Sequence, residues 1–481
     1  MAPESTDIRY VCLSDLHLGA AVSLLTNLTN PPEGRAQVDP LNASPVLKGL
    51  VNCLRYLILC NDPQAPKPTL ILLGDILELA LADDSAAAMV FWRFLDLAMP
   101  PSRELFEKII YVPGNHDHHL WESARETQYV SNYLAKTTPT TRLDNPWHTT
   151  NIFMSDDLHP VPSFFLNALL QRYDHLKNHT IDTAYPNFGL MKGNRSVIFH
   201  HGHFIESIYQ LMTILKNLIF PQLEERTRKI WDLEAENFAW IDFFWSTLGR
   251  SGDFGKDVEI IYDKMQDETQ FRKLVENLAT GLAEKYGKSG WLGSEIIRAI
   301  VDGLVDKLFN LERTQTGRPL SPDAEQGLLD YVNGPLQVQI AAECQSRHWD
   351  FPDEVTFVFG HTHKPFENVS YFQAYLGDGV PVYNTGGWVV ETLAAAPLHG
   401  GAALLLNDNL EVASLRLYNE AAAPVQVEVH EVAPPGQGHS AFFNNLNKLV
   451  QPDRPPWNRF CQTVAEEIRL RQKILQAKIG S

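Results

Sequence analysis

A chain of 481 residues with 44% hydrophobic and 20% charged side chains has the composition of a globular protein, long enough for about two to four domains. Its formal charge of −18 argues against extended contact with nucleic acid, because that affinity comes largely from lysines and arginines displacing counterions. No stretch reaches the roughly 18 to 20 uninterrupted apolar residues of a membrane span, and the best of them, Thr69 to Leu81, is broken by Asp75 and Glu78.

In chain order, the start MAPESTDIRYVCLSD lacks the basic-then-apolar pattern of a secretory signal, so the expectation is a cytoplasmic protein. The first strand, Ile8 to Asp15, ends in polar residues. A helix follows, with Ser44 as cap, Pro45 at its first position and Leu47, Leu50, Val51, Leu54 and Ile58 at helical spacing. Thr69 to Asp75, Lys108 to Asp117, Ser196 to His203 and Val355 to His363 are further strands that run into polar turns, and Val380 to Trp388 has the same form without an acid or histidine. The alternation reads as βαβ units around a parallel or mixed sheet. Between Phe204 and Asp350 strand signals almost vanish. There Ile205, Ile208, Met212, Leu215 and Ile219, and later Ile296, Ile300, Leu304, Val305 and Leu308, fall on helical faces, which predicts a mainly helical insertion or cap over 204–350. After about Tyr418 the composition turns to Ala, Pro and Gly, a loosely packed tail over 419–481. It closes with a helix carrying Val464, Ile468, Leu475 and Ile479, expected to dock on the core or on a second copy of the chain. Five cysteines (Cys12, Cys53, Cys60, Cys344, Cys461), with no C-x-x-C spacing, are expected to be reduced and buried.

Five of the strand ends carry side chains that bind metals. They are Asp15 and His17 in SDLHLG, Asp75 in LGD, Asn115 to Asp117 in GNHD, His201 in HHGH, and His361 with His363 in GHTH. Open α/β sheets place their sites beyond the carboxyl ends of the strands, so these scattered residues can converge on one edge. An isolated H-x-H is more often a solvated pair; here the company changes the reading to a two-metal ligand set. Asp15 and Asp75 supply anionic oxygens that offset two cations, with Asp75 able to bridge them, while the imidazoles of His17, His201, His361 and His363 and the amide oxygen of Asn115 favour manganese, iron, zinc or cobalt over calcium or magnesium. Paired cations clamp phosphate oxygens and lower the pKa of a shared water, so the nucleophile is expected to be hydroxide. His116 is expected to protonate the departing oxygen or to bind phosphate, with Asp117 orienting it.

The blocks D-x-H, GD, GNHD, H-G-H and G-H-T-H resemble those of the calcineurin-like metallophosphoesterase superfamily, over about Ile8 to His203 and Val355 to Leu417. The resemblance implies a four-layer fold, two mixed β-sheets in a sandwich flanked by helices, formed here by residues 1–203 and 351–418. It also implies a first metal on Asp15, His17, Asp75 and His363 and a second on Asp75, Asn115, His201 and His361. SDLHLG is similar to the start of lipid A pathway pyrophosphohydrolases and of DNA-repair nucleases of this superfamily; the former usually carry arginine where this chain has His116.

The expected function is thus hydrolysis of a phosphomonoester, phosphodiester or pyrophosphate on a phosphorylated small molecule or lipid-linked substrate. A nuclease is the rival among enzymes, weakened by the acidic balance, and a non-catalytic metal-binding scaffold is the rival of another class. His118, His119 and His200 are expected beside the ligands rather than among them, and His203 is open between substrate contact and structure. The cluster Asn237 to Trp245 reads as core of the helical segment before it reads as a ligand platform.

Overall fold

The computed structural model describes residues 6–29, 37–153, 161–220, 229–247, 268–285, 301–302, 305, 317–372, 379–390, 392–393, 396–420, 427–433 and 438–479. Its strands are β1 (Tyr10–Leu13), β2 (Leu28–Thr29), β3 (Gln37–Val38), β4 (Thr69–Leu73), β5 (Lys108–Val112), β6 (Val161–Pro162), β7 (Ile181–Thr183), β8 (Asn187–Lys192), β9 (Arg195–His200), β10 (Glu354–Phe359), β11 (Phe366–Ser370), β12 (Val380–Asn384), β13 (Gly400–Leu406), β14 (Val412–Asn419) and β15 (Glu428–His430). They build a sheet in the order β15-β14-β13-β1-β4-β5-β7-β6, a second in the order β11-β12-β10-β9-β8, and the short pair β2-β3. Both main sheets are mixed: β1, β4 and β5 run parallel, as do β9, β10 and β12, while β13 joins β1 antiparallel.

Period-two alternation decides which layer each side chain enters. Val11 and Leu13 of β1, Leu70 and Leu72 of β4, and Ile109 and Tyr111 of β5 face the helices α1 (Pro45–Ile58) and α2 (Asp84–Ala98). Their neighbours Cys12, Ile71, Leu73, Ile110 and Val112 face the other way and share one cluster with Val197, Phe199 and Val358 of the second sheet. The strands are therefore covered on both faces, which is why they read as continuous apolar runs. Each large aliphatic side chain so buried contributes about 1.5–3 kcal/mol over leaving it in water. The start of α1 is as expected: Ser44 accepts a hydrogen bond from the Leu47 amide, Pro45 follows, and the buried face carries Leu47, Leu50, Val51 and Leu54.

Within 204–350 the described residues contain helix and turn but no strand. The expected helix from Phe204 begins only at Leu211. Gly202 turns the chain at a φ of +125° and two 3-10 turns, His203–Ile205 and Ser207–Gln210, precede helix Leu211–Ile219 (α3). The apolar face is still used: Ile205, Ile208, Leu215 and Ile219 pack with Ile198, Phe357 and Phe359, on the face of the second sheet turned away from the first. Of the second expected face, Val305 is buried, and Ile296, Ile300, Leu304 and Leu308 lie outside the described residues.

The tail is better packed than its composition implies. Val427 and Val429 alternate inward and β15 extends the first sheet against β14. Val464 and Ile468 of helix Trp457–Ile479 pack into the cluster of α1, and Arg471 donates to the carbonyls of Ser23 and Thr26. All five cysteines are free, but only Cys12, Cys53 and Cys344 are buried; Cys60 is exposed and Cys461 half-buried. Among the described residues no helix is long and apolar enough to cross a membrane.

Candidate metal centre

The carboxyl ends of β1, β4, β5, β9 and β10 meet at one edge, where the two sheets contribute to a single cluster. Residues at three of these turns leave the strand in the left-handed region, with φ of 50° at Asp15, 44° at His17, 50° at Asp75, 71° at His361 and 56° at His363. For a non-glycine residue this conformation costs about 1–2 kcal/mol and persists where the surroundings over-determine it. They do so here: the Asp15 amide donates to the Gly74 carbonyl at 2.9 Å, the His17 amide to the Asp75 carbonyl at 2.9 Å and the Gly360 amide to the His201 carbonyl at 2.7 Å. Two glycines are required by crowding. A Cβ at Gly114 would lie 2.2 Å from Asp75 Oδ1, and one at Gly360 would lie 2.2 Å from Asp15 Oδ2.

Among the described residues three groups of buried donor atoms each converge within 4.8 Å: Asp15, His17 and His363; Asp75, His201 and His361; and His17, Glu78 and His116. Between the first two lies Asp75, whose Oδ2 is 3.8 Å from His17 Nε2 and 3.3 Å from His201 Nε2. Asn115 joins the second group, its Oδ1 lying 3.1 Å from His201 Nε2. His17 Nε2 and His363 Nε2 face each other at 3.2 Å, and His363 Nε2 is 3.6 Å from Asp15 Oδ1. Two imidazole nitrogens pointing at one another beside carboxylates share at most one proton between them, whereas a cation satisfies both lone pairs. On this ground the donor set fits divalent metals. All seven expected ligands are brought together, and the most accessible of them, His361, is 6% exposed.

The carboxylate on the His116 ring belongs to Glu78. Its Oε1 is 2.9 Å from His116 Nδ1 and its Oε2 is 2.8 Å from His17 Nδ1, while the Ala80 and Leu81 amides donate to Oε1. Asp117, expected to orient His116, instead accepts hydrogen bonds from the Gly114 and Ile76 amides at 2.7 Å each and from the Asp75 amide at 3.2 Å. Its position at the foot of two turns makes it a clamp on the backbone that presents Asp75 and Asn115. The clue to Glu78 was present: a carboxylate buried in an apolar run is costly unless partnered.

Electrostatics reinforces the cluster. Burial alone would raise the Asp75 carboxyl, but His201, His116 and His17 outweigh it and hold Asp75 well below the ordinary carboxylate range. Glu78 is held low in the same way by His116 and His17 against the effect of burial. For His201 burial pulls downward, yet Asp75 and Asp15 lift it to about 9. His361 moves the other way, since burial outweighs the pull of Glu206.

The chain matches the calcineurin-like phosphoesterase family over residues 8–260, just over half its length. It belongs to that family. No curated protein matches it beyond chance. The calcineurin-like phosphoesterases act on phosphoesters and bind divalent metals, consistent with the clustered donors. The matched span holds Asp15, His17, Asp75, Asn115 and His201 but stops short of His361 and His363, which enter the cluster through the fold.

His118, His119, His200 and His203 flank the clustered residues in the chain. His118 Nδ1 is 3.4 Å and His119 Nδ1 3.3 Å from Asp242 Oδ1. His200 accepts the Gly202 amide at 2.8 Å and its ring lies 4.6 Å from that of Tyr331. His203 is buried with its ring 5.8 Å from His201 and 5.9 Å from Tyr209. The aromatic cluster divides. Trp240 and Trp245 are both core: Trp240 donates to the Ile208 carbonyl at 2.8 Å, and Trp245 packs 4.9 Å from the ring of Tyr209, whose hydroxyl accepts a hydrogen bond from Asn115 Nδ2 at 3.2 Å. Phe243 is exposed. A cavity of about 320 Å³ lined by Leu79, Leu120, Phe164, Phe165, Asp84, His119 and Ser123 lies beside the segments that carry Glu78 and His116.

Proposed function

We propose that this protein is a dinuclear metal-dependent phosphoesterase that hydrolyses a compact phosphomonoester, phosphodiester or pyrophosphate. The observation that carries the reading is Asp75, one carboxylate oxygen of which lies within reach of a nitrogen from each ligand group, His17 Nε2 and His201 Nε2. Asp15, His17, Asp75 and His363 would hold one cation, and Asp75, Asn115, His201 and His361 the other. The nitrogen-rich donor set favours manganese, iron or zinc. When bound, such a pair clamps phosphate oxygens and lowers the pKa of the attacking water.

The chain's own residues supply the rest. Glu78 holds the His116 ring through Nδ1, which orients it; in the imidazolium form, which the carboxylate favours, Nε2–H is the proton given to the departing oxygen. His116 is the general acid or phosphate-binding group of the proposal, and Asp117 a positioning residue that keeps the two adjacent turns in place. The exclusion of bulk water from this buried cluster strengthens each electrostatic contact within it. Supporting a four-layer sandwich are the two mixed sheets, with helices packed beyond them; residues 204–350 would be its helical cap. The close cover of the ligands supports a small reacting group.

The test is hydrolysis of a bis-aryl phosphodiester and an aryl phosphomonoester by the full chain with manganese, zinc or chelator. Metal-dependent turnover is expected and its balance gives the preferred ester. No turnover of either, with both metals bound, would move the protein to the class of metal-binding scaffolds.

A further inference from the structure

The second ligand group has partners that come from outside the strands. Glu206 sits in extended backbone between the two 3-10 turns that open the helical segment, and its Oε1 lies 2.6 Å from His361 Nε2. Three residues on, the Tyr209 hydroxyl takes the amide hydrogen of Asn115 at 3.2 Å, and the Tyr209 ring packs edge-on to that of His361 at 5.1 Å. The segment that carries these two residues is held from several sides. Helix Pro322–Tyr331 approaches so closely that a Cβ on Gly327 would lie 2.0 Å from the Ile205 carbonyl oxygen. Trp240 donates to the Ile208 carbonyl, and Gln210 reaches back to that of Phe204 at 2.6 Å.

We propose that Glu206 and Tyr209 are positioning residues for the one cation held by Asp75, Asn115, His201 and His361, so that the helical segment sets the affinity of that ion alone. The inference rests on the dinuclear reading above and adds a dependence which that reading does not contain. Two chemical arguments carry it. A ligand histidine ordinarily gives its other ring nitrogen to a carboxylate, which fixes ring orientation and raises basicity; with Nε2 given to Glu206, Nδ1 is the nitrogen left for the metal. An asparagine amide binds a cation only through oxygen, and a hydrogen-bond acceptor on its nitrogen decides which way it points. Tyr209 is that acceptor. The other ligand group is braced from within the core, where Glu78 holds His17 and Ser14 donates to Asp15, so the two ions answer to different parts of the chain.

The experiment is a titration of the full, metal-stripped chain with manganese, followed by calorimetry and by metal content after gel filtration. The variants are Glu206→Ala, Glu206→Gln and Tyr209→Phe, with Glu78→Gln as the mirror. In the wild-type chain two ions are expected. Glu206→Ala is expected to weaken one of them about 10–100-fold, the usual effect of losing such a partner, and to leave the other unchanged. Glu206→Gln, which keeps an acceptor for Nε2–H, should recover part of the loss, and Tyr209→Phe should weaken the same ion by less. If Glu206→Ala does not fold, Glu206→Gln and Tyr209→Phe decide the matter against their melting curves. Two unchanged affinities in folded variants overturn the proposal, as does an equal loss of both. A wild-type chain that binds fewer than two ions overturns the dinuclear reading itself, and this inference with it.

Discussion

The two halves of the cluster are built by different logics. Around Asp15, His17 and His363, ligands and supports alike come from the α/β core, with Glu78 three residues after Asp75 and Ser14 directly before Asp15. Around Asn115, His201 and His361, the ligands come from the core but Glu206 and Tyr209 come from the helical segment. A half-site braced by its own strands is complete once the sheets form. Its neighbour is complete only when the segment that follows His201 has docked, so a single site can carry one constitutive and one conditional half.

Expected outcomes that break or sharpen this contrast can be ranked by size. Asp75→Asn removes the carboxylate common to both halves, and turnover of the aryl esters is expected to fall to that of the chelated chain, with metal content reduced; an active variant would mean that the halves work independently. His116→Gln should lower kcat by about 10²–10⁴-fold while both metal affinities stay as they are, measured by calorimetry beside the kinetics. Glu78→Gln should cost about 10–100-fold and act on the constitutive half, weakening the ion at His17 and not the one at His361.

A fourth outcome concerns the seam between segment and core. Glu234 lies on helix Ile230–Trp240 and is fully buried beside Tyr185. Burial pushes its carboxyl well above the ordinary value of 4.5, against the pull of Tyr185 and Arg125. A carboxyl raised in the folded state contributes stability that is fully present below the unfolded value and is lost as pH rises through the folded one. Glu234→Gln should therefore match wild type near pH 4 and melt at a higher temperature than wild type near pH 8. If only one of two transitions moves, the segment unfolds apart from the core; if a single transition moves, it is fused to it. The smallest effect belongs to the core alone. Ser44→Ala removes the cap of α1 and should cost about 1 kcal/mol in chemical denaturation without altering metal affinity.

The same contrast explains what could be read from the chain. The clustering of the candidate ligands was legible because strand period places i and i+2 on one side and because metal-type residues follow each β-rich run, from Asp15 and His17 to His361 and His363. The covered strands were legible as apolar runs, and α1 from Ser44 and Pro45. Glu78 was missed although a second acid, beside Asp75, in the buried run Thr69 to Leu81 is a signal in itself. Glu206 and Tyr209 were not legible, since their roles depend on how the chain turns after Gly202, at a positive φ that no spacing rule announces. The same turn delays the start of the expected helix to Leu211. The strand at β15 was overlooked because flanking Ala and Pro masked the alternation of Val427 and Val429, a period-two signal short enough to be ambiguous.

The most direct test of the central claim is electron paramagnetic resonance of the manganese-loaded chain. If Asp75 bridges two ions, the spectrum will be that of an exchange-coupled pair at two equivalents and will collapse to isolated ions in Asp75→Asn. A wild-type spectrum of isolated ions at every loading would contradict the account.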